Sequence, residues 1–104
     1  MAQSVKTKLS SSQRKRLRAE AHKLKPVVQL GKSGITDAFI AEVNSALNAH
    51  ELIKLKFICH KEVRQSLTDE IELRSASSSA GSIGNCLIIY REHPEPALRK
   101  IKVS

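Results

Sequence analysis

The spacing of apolar residues near the start of the chain predicts a first helix. Ser10 and Gln13 stand at the Ser-x-x-Gln spacing of a capping box, so this helix is predicted to begin after Ser10. Its apolar positions form a narrow stripe at helical spacing: Leu17, Ala21 and Leu24. Pro26 disfavours helical geometry at the residue before it, so the helix is predicted to end at Lys25.

Two further helices are predicted from the same kind of spacing. Thr36 is placed to cap the second, with Asp37 in its first turn, and this helix is predicted to end near His50. Its predicted buried face consists of Phe39, Ile40, Val43, Ala46 and Leu47. A four-residue recurrence predicts a third helix that runs to about Arg74. The apolar members of that recurrence are Val63, Leu67 and Ile71.

Short runs of alternating or β-branched apolar residues predict strands, at 27–30, 52–59 and 86–90. The small polar stretch 75–82 is predicted to be a loop or a weak strand, with a turn at Gly84-Asn85. Alternation in 52–59 puts Ile53, Leu55 and Phe57 on one face and Lys54, Lys56 and Ile58 on the other. The order α-β-α-β-α-β-β predicts a small mixed α/β sandwich with a four-stranded mixed sheet.

The composition is that of one small domain without an aromatic binding platform. The 104 residues are 40% hydrophobic and 27% charged, as in globular rather than disordered chains. Two Phe and one Tyr are too few for binding single strands by base stacking. No apolar run has the length of a membrane span, no signal-peptide pattern opens the chain, and two cysteines cannot form a disulfide framework. We therefore expect a cytoplasmic protein.

The positive charge is concentrated in the first third of the chain. The net charge is +8, and residues 1–32 hold nine Lys and Arg against one acid. On a helical wheel Arg14, Arg18 and Lys25 fall on one flank of the first helix, with Lys15 beside them. A one-sided basic surface attracts polyanions, of which nucleic acid is the commonest. A solvated helix, an acidic protein partner and an anionic membrane remain alternatives, although the narrow apolar stripe disfavours the membrane.

A glycine-containing loop, Gly31-Lys32-Ser33-Gly34, lies between a predicted strand and a predicted helix. Its glycines allow a ligand to approach the backbone, its amides can face a phosphate, and Lys32 adds charge. A Walker loop would need glycine where Pro26 stands, and a dinucleotide fingerprint would need Gly-x-Gly, so both nucleotide motifs are excluded. The remaining interpretations are a Gly-x-x-Gly clamp on a nucleic-acid backbone and an ordinary tight turn.

No set of residues predicts an active site, a metal site or a cofactor. Cys59 and His60 are adjacent, and neighbours in a strand face opposite sides, so they do not form a nucleophile–base pair. Cys59 and Cys86 are better explained as small buried apolar residues. The four histidines lack metal-ligand spacing, and Cys-x-x-Cys does not occur.

Several segments, in order along the chain, resemble the CRM domain, named for chloroplast RNA splicing and ribosome maturation. They include Leu24-Lys25-Pro26-Val27-Val28, Gly31-x-x-Gly34, His50-Glu51-Leu52-Ile53-Lys54 and Leu87 through Tyr90-Arg91. The resemblance covers about residues 9–91, and a chain of one such domain looks like the stand-alone bacterial YhbY proteins. It departs from the family at 77–82, which is smaller and more polar than the usual third strand. Of the matching residues, His22 and Tyr90 are expected to pack, and Arg91 to reach either phosphate or solvent.

The resemblance implies an RNA-binding fold akin to the C-terminal domain of translation initiation factor three, over residues 9–93, with flexible or extended tails at 1–8 and 94–104. It implies a non-catalytic protein that binds precursors of large-subunit ribosomal RNA. By position, RNA contacts are implied at Gly31, Lys32, Ser33 and Gly34, with Arg14, Lys15, Arg18 and Lys25 as neighbours. We expect a monomer without a small-molecule substrate. An adapter for an acidic protein, an RNA chaperone and a splicing cofactor are the alternatives.

Overall fold

The computed structural model describes residues 9–95 and Ala97. Within this part of the chain the helices are α1 (Ser11–Ala21), α2 (Asp37–His50) and α3 (Arg64–Ser75), the last preceded by a 3-10 turn, Lys61–Val63. The strands are β1 (Val28–Leu30), β2 (Leu52–Phe57), β3 (Ser78–Ile83) and β4 (Cys86–Tyr90). The predicted element order is confirmed. The predicted tails, 1–8 and most of 94–104, lie outside the described residues.

The four strands form one mixed sheet in the order β1-β2-β4-β3. β1 and β2 run parallel, because α2 carries the chain back to the start of the sheet between them. The pairs β2–β4 and β4–β3 are antiparallel. The turn between β3 and β4 contains Gly84 at a φ of 59°. The mixed sheet predicted from the alternation of helices and strands is therefore confirmed.

Alternation along the strands gives the sheet two apolar faces. Ile53, Leu55 and Phe57 lie on the face covered by α2 and α3, in a cluster that includes Val43, Leu47 and Ile71. On the other face, the side chains of α1 pack on a smaller cluster: Leu9, Leu17, Ala21, Leu52, Ala80, Ile88 and Tyr90. The helices thus form two layers around the sheet. Because α1 is short, it covers only part of its face.

The first helix begins as predicted and ends earlier than predicted. The Ser10 hydroxyl accepts from the amide of Gln13, and the Gln13 side chain accepts from the amide of Ser10, so the capping box is formed. The helix ends at Ala21 rather than at Lys25. The chain must leave the helix to reach the sheet edge, where the amide of Val27 donates to the carbonyl of Lys54.

Three other local predictions are corrected by the structure. β2 ends at Phe57, because Ile58 and Cys59 turn to donate to the carbonyl of Leu30. Val63 lies in the 3-10 turn and is exposed, so the buried face of α3 begins at Leu67. The free cysteines, Cys59 and Cys86, are half-buried rather than buried.

The small polar stretch after α3 is a strand. β3 pairs with β4 from Ser78 to Ile83, with a bulge between Ser79 and Gly81. Gly81 adopts a φ of 121°, which side-chain-bearing residues rarely adopt. Ala80 is fully buried under α1. The weak β propensity of this segment is overcome by its pairing with the strongly apolar β4.

Candidate nucleic-acid interface

The glycine loop follows the end of β1 and leads into the cap of α2. The amide of Gly34 donates to the carbonyl of Gly31 at 3.1 Å, which closes a tight turn. Gly34 has a φ of 70°, a conformation that favours glycine. Lys32 and Ser33 are exposed, and within the described residues their amides form no hydrogen bond. The amides at the loop tip can therefore donate to a ligand, whereas that of Gly34 serves the turn.

The loop is supported by His60, which sequence reasoning did not select. The His60 Nε2 atom lies 3.0 Å from the carbonyl oxygen of Lys32 and donates to it. His60 reaches the loop from the segment that follows β2, at a positive φ of 63°. The segment is held there by hydrogen bonds from the amides of Ile58 and Cys59 to the carbonyl of Leu30. This arrangement gives the His60 ring a role in shaping the loop.

Two arginines of α1 lie beside the edge strand β3. They line a polar cleft of about 490 Å³ between α1 and α3, which we call the β3 cleft. Its wall includes Arg14, Arg18, Arg64, Glu72, Ser79 and Gly81. Lys15, the next basic residue of α1, is exposed. Arg14 and Arg18 therefore share one site, as the helical wheel predicts.

Lys25 does not join that site. Because α1 ends at Ala21, the helical wheel does not apply beyond that residue. Lys25 instead lines a second, more apolar pocket of about 280 Å³ with Glu20, Val27 and Lys54. The glycine loop borders a third depression, with Gln29 and Glu42. Seven of the eight predicted contact residues are thus distributed over these three places, and Lys15 lines none of them.

A row of side chains across the sheet links the loop to the β3 cleft. Gln29 pairs with Lys56, Lys56 with Cys86, and Cys86 with Ile83, so all four side chains lie on the α1 face. Gln29 is exposed and the other three are half-buried, because α1 covers the other end of this face. We call these four residues the sheet row. Three strand spacings make it about 14 Å long.

Several basic side chains of this surface have no carboxylate partner. Among the described residues, salt bridges join Lys23 to Glu20 and Arg74 to Asp37 and Glu70. Within the same residues, no salt bridge forms at Lys32 or at the arginines of the β3 cleft. Uncompensated cations attract phosphates over several ångströms, and each contact that forms releases bound counterions. This surface therefore has the electrostatic character of a polyanion site.

The predictions for His22, Tyr90 and Arg91 have different outcomes. Tyr90 is fully buried against α1 and packs as predicted, whereas His22 caps the end of α1 and is exposed. Arg91 is half-buried, and its guanidinium is engaged within the domain. Its guanidinium donates to Asn44 Oδ1 at 2.7 Å, to the carbonyl of Ser75 at 2.7 Å and to Asn48 Oδ1 at 2.8 Å. Burial lowers the pKa of Arg91 from its ordinary value.

Comparison with known families identifies the fold. The family model of the CRS1/YhbY (CRM) domain matches residues 9–91. The chain belongs to the CRM family. The match spans both faces of the sheet, the glycine loop and all three described helices. The resemblance inferred from the sequence motifs is confirmed.

Relatives from several bacteria match most of this CRM chain. A Pseudomonas aeruginosa protein named "Probable RNA-binding protein PA4753" is 38% identical over 89 residues, 85% of this chain and 86% of the relative. A Haemophilus influenzae protein named "RNA-binding protein" is 37% identical, over 89% of this chain and 95% of the relative. The solution structure of the Staphylococcus aureus protein SAV1595, described as an RNA-binding candidate, matches with a TM-score of 0.77. It is 28% identical and covers 91% of this chain and all of its own.

The described part of this CRM chain holds neither a metal-binding cluster nor a membrane-spanning helix. In the described part, no group of three or more His, Cys, Asp or Glu is arranged to hold a metal ion. No described helix is long and apolar enough to cross a bilayer.

Proposed function

We propose that this chain is a non-catalytic RNA-binding protein that assists assembly of the large ribosomal subunit by binding its precursor RNA. The observation that carries the proposal is the exposed glycine loop, from which the sheet row leads to arginines without carboxylate partners. The relatives named as RNA-binding proteins support RNA as the polyanion. The protein acts in the cytoplasm as a monomer.

Binding depends on the RNA backbone and its shape more than on base sequence. Phe39, Phe57 and Tyr90 are the only aromatic residues of the chain, and all three are buried. No phenylalanine or tyrosine ring is therefore exposed for a base to stack on, and stacking on aromatic rings is a main way in which single-stranded RNA is read. The loop amides, Lys32 and the arginines instead contact phosphates, which position RNA without reading sequence. Such a protein stabilises one RNA conformation during assembly and then dissociates.

Sucrose-gradient sedimentation of cell lysate tests the proposal, with wild-type protein, Lys32→Glu and Lys23→Glu followed by blotting. Lys32→Glu reverses a charge at the loop tip and should lower the bound fraction about tenfold or more, since one phosphate contact becomes a repulsion. Lys23→Glu makes the same change in net charge at an exposed residue outside the three depressions. It should sediment like wild-type protein.

If the wild-type protein comigrates with precursor large-subunit particles and only Lys32→Glu loses this comigration, both the assembly function and the placement of the site are supported. Wild-type protein found only in light fractions at low and moderate salt contradicts the ribosomal role. Equal loss in the two variants contradicts the placement, because net charge alone would then explain binding.

The adapter hypothesis has one observation in its favour. Leu24 and Val27 are 37% and 48% exposed beside the pocket that Lys25 lines, and such apolar exposure suits a protein contact. An adapter would keep a stoichiometric protein partner after nuclease treatment of the lysate. An RNA chaperone or a splicing cofactor would instead comigrate with RNAs other than ribosomal precursors.

A further inference from the structure

We propose that the β3 cleft binds a phosphate group of the RNA backbone, as a second anchor about one sheet width from the glycine loop; this inference rests on the proposed RNA-binding function. The cleft lies along the edge strand β3, with α1 on one side and α3 on the other. Arg14 and Arg18 enter it from α1, and Arg64, the first residue of α3, enters it from the opposite side.

Arg18 is fixed in the cleft by the edge strand itself. Its Nη1 atom donates to the carbonyl of Ala80 at 2.6 Å. The side chain lies directly over Gly81, where an added Cβ would stand 2.9 Å from the Cδ atom of Arg18. Glycine at the bulge therefore leaves the space that the arginine occupies. Because Arg18 is already ordered, binding a phosphate costs it little side-chain entropy.

The other two arginines are also held by neutral groups. Arg64 donates to the carbonyl of Gly84 at 3.3 Å and stacks on the ring of Phe57, 5.6 Å from its centroid. Arg14 donates to the carbonyl of Leu9 at 3.3 Å. A guanidinium has five N–H donors, so carbonyl contacts orient each arginine and leave donors for a second acceptor. Neutral partners also leave the positive charge uncompensated.

The acidic groups of the neighbourhood do not cancel this charge. Glu72 is the only carboxylate in the described wall of the cleft, against three arginines. Its Oε2 atom accepts from the amide of Ser79 at 2.6 Å and so caps the strand edge. Arg74, on the same helix as Arg64, shows the contrasting arrangement, since it pairs with Asp37 at 2.7 Å and Glu70 at 3.2 Å. Three guanidiniums that are oriented by carbonyls and lack carboxylate partners thus line one cleft, and their N–H groups are donors that phosphate oxygens accept.

Arg64→Ala and Arg74→Ala form the matched pair for the first test. Both remove one arginine from α3, but only Arg64 lies in the cleft. The probe is a fluorescein-labelled 20-nucleotide RNA of mixed sequence, titrated by anisotropy from 50 to 200 mM salt, with folding checked by circular dichroism. Arg64→Ala should lower affinity about fivefold and reduce the slope of log K against log salt by about one. Arg64→Lys keeps the charge, so its RNA affinity should lie between those of Arg64→Ala and Arg74→Ala.

The outcomes separate the inference from the function on which it rests. Wild-type affinity in Arg64→Ala, or an equal loss in Arg74→Ala, overturns the cleft as a phosphate site while RNA binding stands. If the wild-type chain binds no RNA, the proposed function fails, and the second anchor on RNA fails with it.

A second measurement locates the site without depending on the choice of RNA. The probe is inorganic phosphate, added to ¹⁵N-labelled protein at constant ionic strength, with the arginine Nε–H signals followed by NMR. The cleft is supported as a phosphate site if the signals of its three arginines shift saturably with phosphate. These shifts should be retained in Lys32→Glu. They should be lost in Gly81→Ala, because a Cβ at position 81 displaces Arg18. If phosphate shifts the arginine signals no more than chloride does, the cleft is not a phosphate site. Shifts with phosphate that the RNA does not reproduce identify a free-anion site and overturn the RNA anchor.

Discussion

At the residue scale, glycine stands at positions 31 and 34 of the loop for two different physical reasons. Gly34 adopts a φ of 70°, so its backbone conformation itself favours glycine. Gly31 has an ordinary φ, and a Cβ built on it meets no atom within 4 Å. Nothing within the described chain therefore requires glycine at position 31. The open space beside it is available to an external ligand that contacts the backbone.

Alanine at each position separates these reasons. Gly34→Ala should lower the free energy of unfolding by about 1–2 kcal/mol, because an L side chain is strained at positive φ. Gly31→Ala should change it by less than about 0.5 kcal/mol, yet weaken RNA binding about 3- to 10-fold by keeping the phosphate from the backbone. Urea denaturation and RNA anisotropy measure the two effects. Unchanged RNA affinity in folded Gly31→Ala would show that the loop is an ordinary turn.

At the element scale, Arg91 joins three elements at the end of β4. Its guanidinium donates to Asn44 and Asn48 on α2 and to the carbonyl of Ser75 at the end of α3. The backbone amide of Arg91 donates to the carbonyl of Glu51. The planar guanidinium spans acceptors that lie in different directions, which a single ammonium group cannot do. The basic residue that follows the last strand is thus a structural link between the sheet and two helices.

Replacing Arg91 should destabilise the domain. Arg91→Ala removes four charge-assisted hydrogen bonds, three of them part-buried, so we expect a loss of about 2–4 kcal/mol in the free energy of unfolding. Arg91→Lys should lose about half as much. Arg74→Ala, which breaks surface ion pairs, is the control and should cost less than about 1 kcal/mol. The same urea midpoint for Arg91→Ala and Arg74→Ala would refute the assigned link.

Also at the element scale, the outer edge of strand β3 is covered by side chains. Its outer groups are engaged by side chains, because Arg18 donates to the carbonyl of Ala80 and Glu72 accepts from the amide of Ser79. An edge engaged in this way is a poor template for an additional strand. The small residues of β3 thus allow an arginine and a carboxylate to cover the edge.

At the scale of the whole molecule, Lys32, Lys56 and the arginines of the β3 cleft lie along one connected surface, whereas Lys25 lies apart from it. The sheet row, Lys32 and the β3 cleft lie on or beside the α1 face, whereas α2 and α3 cover the opposite face. The acid-paired Arg74 belongs to the α2–α3 side. Charge on one side of a small domain steers a polyanion to that side.

RNA binding should therefore depend steeply on salt. With about four phosphate contacts, the slope of log K against log salt is about −2.8 to −3.6, which corresponds to a loss of roughly 50- to 150-fold between 50 and 200 mM. The measurement is an anisotropy titration at four salt concentrations, with magnesium held constant. A slope near zero would contradict a phosphate-dominated interface and favour the adapter hypothesis. Light scattering on the same samples checks the expected monomer.

The sequence by itself determined those features that depend on near neighbours in the chain. The capping box at Ser10 and the cap at Thr36 are local hydrogen-bonding patterns, and both helices begin where they predict. The alternation of apolar residues after Leu52 assigned the two sheet faces, because side chains in a strand alternate strictly. The order of helices and strands, together with the glycine loop, was enough to indicate the CRM family.

Only the tertiary structure decided which distant residues meet. The end of α1 at Ala21, and with it the separation of Lys25 from Arg14 and Arg18, follows from the route that the chain takes to the sheet edge. Strand register assembles the sheet row, and packing brings Arg64 to the cleft and His60 to the loop. Contacts between residues far apart in sequence depend on how whole layers pack, and local propensity carries no information about that packing.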